Sequence, residues 1–593
     1  MRGRTRSDPR PRGRPPRADA ELRANALPRS SPAPHRIAWL VAFACILVSV
    51  SFRLYEYDMW EHLAYGRALW QLHRVPQVQM WTWPDLGAPH VNPSWGFSAL
   101  LWPFWVAGGD IGLAAWRWLT TLAAFALLWA AARAMGVRGS LALVVLVICA
   151  LVYRQRSQVR PETLASVLLA LELWLLATRR GPGRRDVALV LVGWAWANVH
   201  ISWPLGVVVL ALHALAARVP PGRPALRGLE LVTLLAVAVA FLNPFGWRAV
   251  ARPFEYLFVW RHDPLLSGIS ELQALDWRVN LWNGLPLLLV GWPVLALWRA
   301  RRQWPDALEL GLCALATALA LSGNRFVATY ALLAAPWCAR DLDEWWRSRR
   351  WSRGAEHGWR EALATGALCV TLPLYEWTHF ENTLGIRPDD RRAPVAACDF
   401  MQQHDVRGRG FNDFFLGGYL LWRFWPDPGR LPYFDIHPED KSAAERLAYL
   451  HAFTETAGWT ALELQQRFDY VLLSRVRTRE PGLIDVLDAN PGWQLVFADD
   501  AAALYVRHDG PLGRVAETFG YRLLPAGRER TRLLAQDCVR DPTIAARLSL
   551  ELQRQQRESS RTVSSAALRE LCAAAAATAG QPAVPAPPRQ APR

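Results

Sequence analysis

The chain has 593 residues, of which 52% are hydrophobic and 32 are tryptophan, and its mean hydropathy is +0.05. Its net charge of +16 would suit a nucleic-acid-binding protein. However, the arginines lie in short clusters between apolar runs, which is how membrane proteins distribute charge. Length and composition thus exclude a small soluble domain and argue against nucleic acid as a partner.

The N-terminal segment is basic. Residues 1–36 contain ten Arg and only three acidic residues, among many Pro, which is typical of a disordered tail. We expect this tail to lie in the cytoplasm. The apolar run at 37–53 has no small-residue cleavage site after it, and this favours a retained first span over a secretory signal.

Long apolar runs continue to residue 378. A membrane-spanning helix needs about 20 apolar residues, with about 17 as the lower limit. The run at 96–108 is shorter and contains Pro103, so we predict an interfacial or half-inserted helix there. We predict eleven spans, at 37–53, 112–132, 139–153, 161–178, 186–199, 202–218, 226–243, 281–299, 305–322, 325–339 and 360–378.

The charge of the connecting loops sets the orientation. With the N-terminus inside, every short inside loop carries arginines, as the positive-inside rule requires, and counting 96–108 as a span would invert this pattern. We therefore predict a multi-pass membrane protein with a cytoplasmic N-terminus. The first outer loop, 54–111, and the whole region from 379 onward then lie outside.

The outer region is predicted to form an α/β domain over 379–512. Helical patterns separate most of its strand-like segments, and such alternation favours a small parallel sheet. Residues 513–593 are predicted to be helical and then disordered. The strand-like segments are 409–412, 431–436, 469–474, 493–498 and 502–507.

The eight cysteines show no C-x-x-C spacing, so a zinc site is not predicted. Five of them lie in or beside apolar runs, where Cys behaves as a small hydrophobe. Cys398, Cys538 and Cys572 fall in the outer region. A disulfide between Cys398 and Cys538 stays open at this point.

A cluster of titratable residues follows the first span, in the stretch LYEYDMWEHLAYGRALW at 54–70. If this stretch is helical, Asp58, Glu61, His62 and Tyr65 share one face. That face could carry acid–base chemistry at the membrane surface. Alternatively, it is simply the solvent-exposed face of an interfacial helix that Trp and Tyr anchor at the membrane surface.

The order and spacing of several short motifs over residues 37–340 resemble the GT-C superfamily of membrane glycosyltransferases, especially bacterial relatives of protein O-mannosyltransferases and lipid A aminoarabinose transferase. Two adjacent positions differ: many relatives have a His-Glu pair where this chain has Pro93 and Ser94. The motifs are DMWEHLAYG, VNPSWG, RPETL at 160–164, WANVH at 196–200, LNPFGW at 242–247 and GNRF at 323–326.

The resemblance implies a polytopic α-helical GT-C-like fold in a bacterial inner membrane. It also implies transfer of a sugar from a polyprenyl-phosphate donor to an acceptor on the outer face of the bilayer. Asp58 matches the superfamily's first-loop Asp, and a carboxylate there would accept the acceptor's proton. Glu61 or His62 would orient Asp58 or help to bind a divalent metal, and the need for a metal stays open.

Four further residues are candidates for substrate binding: Arg160, Glu162, His200 and Arg325. Arginine suits bidentate phosphate binding. Each residue also has a structural interpretation: Arg160 and Glu162 begin a helix, His200 lies in a polar turn, and Arg325 reaches the headgroups. The Pro93–Ser94 difference keeps open a non-catalytic GT-C-fold protein that binds lipid or glycan in envelope assembly.

Overall fold

The structure is a computed structural model that describes residues 32–219, 224–267, 273–349, 355–379, 383–476 and 482–578. Most of the two predicted disordered ends lies outside these ranges. Residues 32–36 begin the first helix, and residues 573–578 belong to the last one.

The apolar half of the chain is helical. Its described helices are α1 (Pro32–Ser49), α2 (Asp58–Leu72), α3 (Trp95–Ala134), α4 (Ala142–Tyr153), α5 (Pro161–Thr178), α6 (Arg184–Val199), α7 (Trp203–Ala216), α8 (Leu229–Val239), α9 (Trp247–Phe258), α10 (Pro264–Ser267), α11 (Trp277–Asn280), α12 (Leu285–Ala300), α13 (Ala307–Ser322), α14 (Val327–Arg347) and α15 (Ala355–Trp377). Each of the eleven predicted spans overlaps one of these helices, and the other four, α2 and α9–α11, lie between the spans.

Two of the described helices, α3 and α5, are long and apolar enough to cross a membrane by length and composition. Five others are apolar but shorter: Ala33–Ser49 within α1, and α7, α8, α12 and α13. The number of eleven spans therefore stays a prediction.

Helix α3 is two helical arms joined by a sharp reversal. Its backbone breaks at Gly109, which has φ 51° and ψ −125°, a conformation that suits glycine. The rings of Phe104 and Trp116 lie 5.1 Å apart on the two arms, so the arm 95–108 folds back along the arm 110–134. The first arm is the segment that we predicted to lie at the interface.

The region from residue 383 onward, which the sequence predicts to lie outside and which we therefore call the outer domain, contains a four-stranded sheet. Its strands are β1 (Gly410–Asn412), β2 (Tyr470–Ser474), β3 (Trp493–Ala498) and β4 (Ala502–Arg507). The helices around them are α16 (Val395–Gln403), α17 (Gly417–Phe424), α18 (Ala443–Thr454), α19 (Thr456–Gln466), α20 (Leu483–Ala489), α21 (Gly513–Phe519), α22 (Arg528–Arg540), α23 (Pro542–Glu558) and α24 (Ala566–Thr578).

The sheet has the order β1-β2-β4-β3 and is mixed. Strand β2 pairs parallel to β1 but antiparallel to β4, and β3 pairs antiparallel to β4. The predicted all-parallel sheet is therefore wrong, because the short link 499–501 can only reverse the chain into a hairpin. The strand predicted at 431–436 is not formed. That segment is a loop, and the Trp83 N–H donates to its Pro432 carbonyl at 3.1 Å.

Helix α2 lies between the apolar half and the outer domain. One side packs on α3 in an apolar cluster that includes Leu63 and Phe97, and another side packs on α17 in a cluster that includes Ala68 and Leu421. Gly66 makes the contact with α3 close: a Cβ atom there would lie 2.4 Å from the carbonyl oxygen of Ser98. The predicted helix at 58–65 is thus confirmed, and both of its neighbours position it.

We expect Gly66→Ala to destabilise the protein by about 1–3 kcal/mol, because the added methyl group would overlap backbone that cannot easily move. Thermal unfolding in detergent measures the effect. Gly291→Ala, in α12, is the matched control, since no atom lies within 4 Å of the position that the added Cβ would take. Alanine is also a better helix former than glycine. Equal melting temperatures for the two variants would contradict the close contact.

Candidate functional site

The motifs of the apolar half meet in space. The Trp95 indole donates to the Asn198 side-chain oxygen at 3.0 Å, and the Asn198 amide donates to the Leu242 carbonyl at 3.2 Å. The Trp116 indole donates to Thr163 Oγ1 at 3.0 Å. The segments VNPSWG, WANVH and LNPFGW are therefore parts of one hydrogen-bonded framework, and RPETL at the start of α5 is bonded to the second arm of α3.

Arg160 is the centre of a group of carboxylates at this framework. It precedes the first turn of α5, and its Nη2 atom lies 2.7 Å from Oδ2 of Asp58, the first residue of α2. Its Nη1 atom lies 3.4 Å from Glu56 Oε2, and its Nε atom lies 3.7 Å from Glu162 Oε2. The structure thus brings Asp58, Arg160 and Glu162 together.

Glu162 links this group to His200. Oε1 of Glu162 lies 3.9 Å from Nε2 of His200 and 3.9 Å from Nη1 of Arg156. The backbone N–H of Ser202 donates to Nδ1 of His200, so the ring proton belongs on Nε2, facing Glu162. Burial lowers the pKa of His200 to about 4, and the imidazole is therefore neutral at pH 7.

A cavity of about 410 Å³ adjoins Glu162 and His200. Three arginines, Arg156, Arg261 and Arg325, line it together with them. The Arg325 guanidinium also stacks on the Tyr256 ring, at 5.2 Å from the ring centroid. Most of the remaining wall is apolar, and it includes Leu169, Leu205, Val208, Leu257, Leu315, Leu319 and Leu332.

The cavity does not contain every candidate. Glu162, His200 and Arg325 line it, whereas Asp58 and Arg160 are not among its lining residues, and Arg160 contacts Glu162 in its wall. Sequence reasoning missed Glu56, Arg156 and Arg261. The signal for the first two was their place beside the recognised motifs, at two residues before Asp58 and four before Arg160.

Glu61 turns towards the outer domain. Its side chain is fully buried, one carboxylate oxygen pairs with Nδ1 of His437, and the other accepts from the Ile436 N–H at 3.3 Å. His62 shares a hydrogen bond of 3.0 Å with Ser98 Oγ. On α2, Asp58 therefore contacts Arg160, whereas Glu61 pairs with His437 and His62 bonds Ser98.

The charge states of the two histidines differ. Burial, and then the nearby His437, lower the pKa of His62 well below its usual value. Burial also acts to lower the pKa of His437, but the Glu61 carboxylate outweighs it and raises that pKa well above the usual value, with help from Glu439 and Asp435. His437 and Glu61 thus form a buried ion pair beside a neutral His62.

The ion pair is one contact of a larger interface. We call residues 435–441 of the outer domain the docking segment. Within it, Asp440 bonds His90 Nδ1 at 2.5 Å and accepts from Arg252 Nη2 at 3.0 Å. Lys441, the chain's only lysine, pairs with Asp85. The docking segment therefore joins the outer domain to the first outer loop and to α9.

The carboxylates near Asp58 do not fit a metal site as they stand. Arg160 contacts Glu56, Asp58 and Glu162, so the positive charge at their centre is a guanidinium. Among the residues that the structure describes, no three His, Cys, Asp or Glu side chains are arranged to hold a metal ion. We accordingly derive no chemical step through a metal.

Three solved structures share this fold. Archaeal oligosaccharyltransferase AglB from Archaeoglobus fulgidus, in complex with an inhibitory peptide and a dolichol-phosphate, has a TM-score of 0.53 and 12% identity, over 89% of this chain and 84% of its own. An Archaeoglobus fulgidus oligosaccharyltransferase in complex with Zn and sulfate has a TM-score of 0.51 and 14% identity, over 91% and 85%. The same organism's oligosaccharyltransferase tethered with an acceptor peptide has a TM-score of 0.51 and 13% identity, over 79% and 74%.

These neighbours are GT-C superfamily membrane glycosyltransferases. The predicted resemblance is therefore confirmed at the level of the fold, including a small sheet after a helical region. No protein-family model matches the chain, and no curated protein matches it significantly. The solved structures carry the assignment of the fold alone, because their sequences are only 12–14% identical to this one.

We expect Glu61→Gln to destabilise the docked outer domain by about 3–5 kcal/mol, because it removes the nearest counter-charge of the largely buried His437 cation. Wild-type stability should be fully present below pH 6.5. It should fall as the pH rises through the raised pKa of His437, where the imidazole becomes neutral. Thermal unfolding across pH 6–10 measures both effects.

The matched control is Glu455→Gln. Glu455 lies 4.0 Å from His451 in an exposed pair, with side chains 57% and 43% exposed, and such pairs contribute little. In Glu61→Gln, the loss of stability with rising pH that is due to His437 should disappear. An unchanged pH profile would show that the Glu61–His437 pair does not stabilise the interface.

Proposed function

We propose that this GT-C-fold chain transfers a sugar from a polyprenyl-phosphate donor to an acceptor on the outer face of a bacterial inner membrane. One observation carries the proposal: a largely apolar cavity has three guanidinium groups in its wall and adjoins the Glu162–Arg160–Asp58 group. A lipid phosphate needs both an apolar surface and positive charge, and a glycosyl acceptor needs a nearby base.

The donor is assigned to the 410 Å³ cavity. Its leucine-rich wall would contact the polyprenyl chain, and Arg156, Arg261 and Arg325 would bind the phosphate. Neutral His200 would donate from Nε2 without adding a charge. One neighbour of the same fold was solved in complex with a dolichol-phosphate, which supports a lipid-linked substrate for this chain.

Asp58 is assigned as the general base. Arg160, at 2.7 Å, orients its carboxylate and stabilises its negative charge. As the acceptor atom bonds to the anomeric carbon, the bond from that carbon to the phosphate oxygen breaks. The acceptor proton passes to Asp58, and the polyprenyl phosphate leaves as an anion held by the arginines. Glu61 and His62 are assigned a positioning role, because their contacts hold α2 in place.

A non-catalytic protein of the same fold remains the second candidate function. The observation that favours it is the sequence PS at 93–94, where many relatives have His-Glu. In the structure Ser94 precedes α3, and its N–H donates to the Asn92 side chain at 2.9 Å. Such a protein would bind the lipid phosphate in the cavity without transferring a sugar.

Asp58→Asn should lower the rate of glycan transfer by about 10²–10⁴-fold, because it removes the base and keeps the shape of the side chain. The rate is measured in membranes, with the protein level checked. Asp509→Asn is the control, since the Asp509 side chain is 91% exposed. A transfer rate in Asp58→Asn equal to that of the wild type would refute Asp58 as the base and favour the non-catalytic function.

Arg325→Gln should weaken binding of a polyprenyl monophosphate about ten- to a hundredfold, since a charge-assisted hydrogen bond contributes about 1.5–3 kcal/mol. Binding to the purified protein in detergent gives the dissociation constant. Arg218→Gln serves as the control because that side chain is 70% exposed and lies outside the cavity. An unchanged dissociation constant in Arg325→Gln would show that Arg325 does not contact the phosphate.

A further inference from the structure

Two thiols lie next to each other between helices near the end of the outer domain. Cys538 lies in α22 and Cys572 in α24, and their Sγ atoms are 3.1 Å apart. Both residues are fully buried. They belong to the apolar cluster that also contains Val471 of β2 and Leu495 of β3, so the two helices share the core of the sheet domain.

The other cysteines are differently placed. Cys398 belongs to the apolar cluster on the opposite face of the sheet, with Leu472 of β2. The layer of strands thus separates Cys398 from Cys538, and the disulfide left open by the sequence is not compatible with the fold. The remaining five lie in the apolar half: Cys45, Cys149, Cys313, Cys338 and Cys369.

We propose that Cys538 and Cys572 form a disulfide that cross-links α22 to α24 in the mature protein. The orientation predicted from the inside loops puts this domain on the outer face, where thiols are oxidised. The bond closes a segment in which the two residues are 34 positions apart, and it restricts the unfolded chain accordingly. The proposal concerns the domain's stability and does not depend on sugar transfer.

The chemistry needs a dithiol–disulfide exchange partner. One thiolate of the pair attacks the disulfide of an oxidant protein and forms a mixed disulfide, and the second thiolate then displaces the oxidant's sulfur. Two protons and two electrons leave the pair, the Sγ–Sγ bond forms, and the oxidant's disulfide becomes a dithiol. Because both thiols are buried in the fold, the exchange precedes the closing of α24 onto α22.

The direct test counts thiols in the full-length protein. Membranes are lysed in N-ethylmaleimide without reductant, and the denatured protein is analysed by mass spectrometry. We expect six of the eight cysteines to be alkylated, and the tryptic peptides 533–540 and 570–589 to be joined until reductant is added. Alkylation of all eight in unreduced wild-type protein would overturn the proposal, as would a different pairing.

Variants test the role of the bond. Cys538→Ala and Cys572→Ala should each lower the melting temperature by on the order of 10 °C, and the double variant should fall no further than the lower single variant. Cys398→Ala, also fully buried, is the control and should keep the linked peptides. Reductant should lower the melting temperature of Cys398→Ala but not of Cys538→Ala. Equal sensitivity of both to reductant would contradict a stabilising cross-link.

Discussion

The buried contact between Glu61 and His437 is the constraint on which the outer half of the molecule depends. A carboxylate with no exposed surface must have a cation close by, since burying an unpaired charge costs several kcal/mol. The partner comes from the docking segment, more than 370 positions along the chain. Helix α2 can therefore pack in this way only when the outer domain is in place, and the position of Asp58, one turn earlier, follows from the same packing.

The group around Arg160 shows how charge is balanced at the proposed reaction centre. One guanidinium contacts Glu56, Asp58 and Glu162, and a neutral His200 stands beside Glu162. The three cavity arginines then face a region where the negative charge is already partly balanced by Arg160. An entering phosphate would meet positive charge in the cavity, while the base would stay paired at its edge. This separation suits a reaction in which a phosphate anion leaves while the acceptor gives up a proton to the base.

Local patterns predicted much of the fold. Hydrophobic runs located a helix for each proposed span, and the i, i+3, i+4 spacing at 58–65 located α2. Local patterns could not predict which residue each side chain contacts. Asp58 and Glu61 share a predicted face, yet one meets Arg160 and the other His437, because α2 is held between two surfaces that are distant in sequence. The mixed sheet and the Cys538–Cys572 contact likewise depend on long-range packing that periodicity does not record.

The reversal at Gly109 has a consequence for the first outer loop as a whole. At the loop's exit, Arg117 donates to the carbonyls of Val50 and Phe52, at 2.5 and 2.7 Å, and Trp118 donates to Ser51 at 3.0 Å. Entry and exit are therefore fastened to each other, in addition to the contacts that Asp58, Glu61 and His90 make with other parts of the molecule. An insertion or deletion between these contacts would leave the register of the flanking helices unchanged. The parts of the loop that make none of these contacts can thus vary in length, while α2 and the helices beside it keep their places.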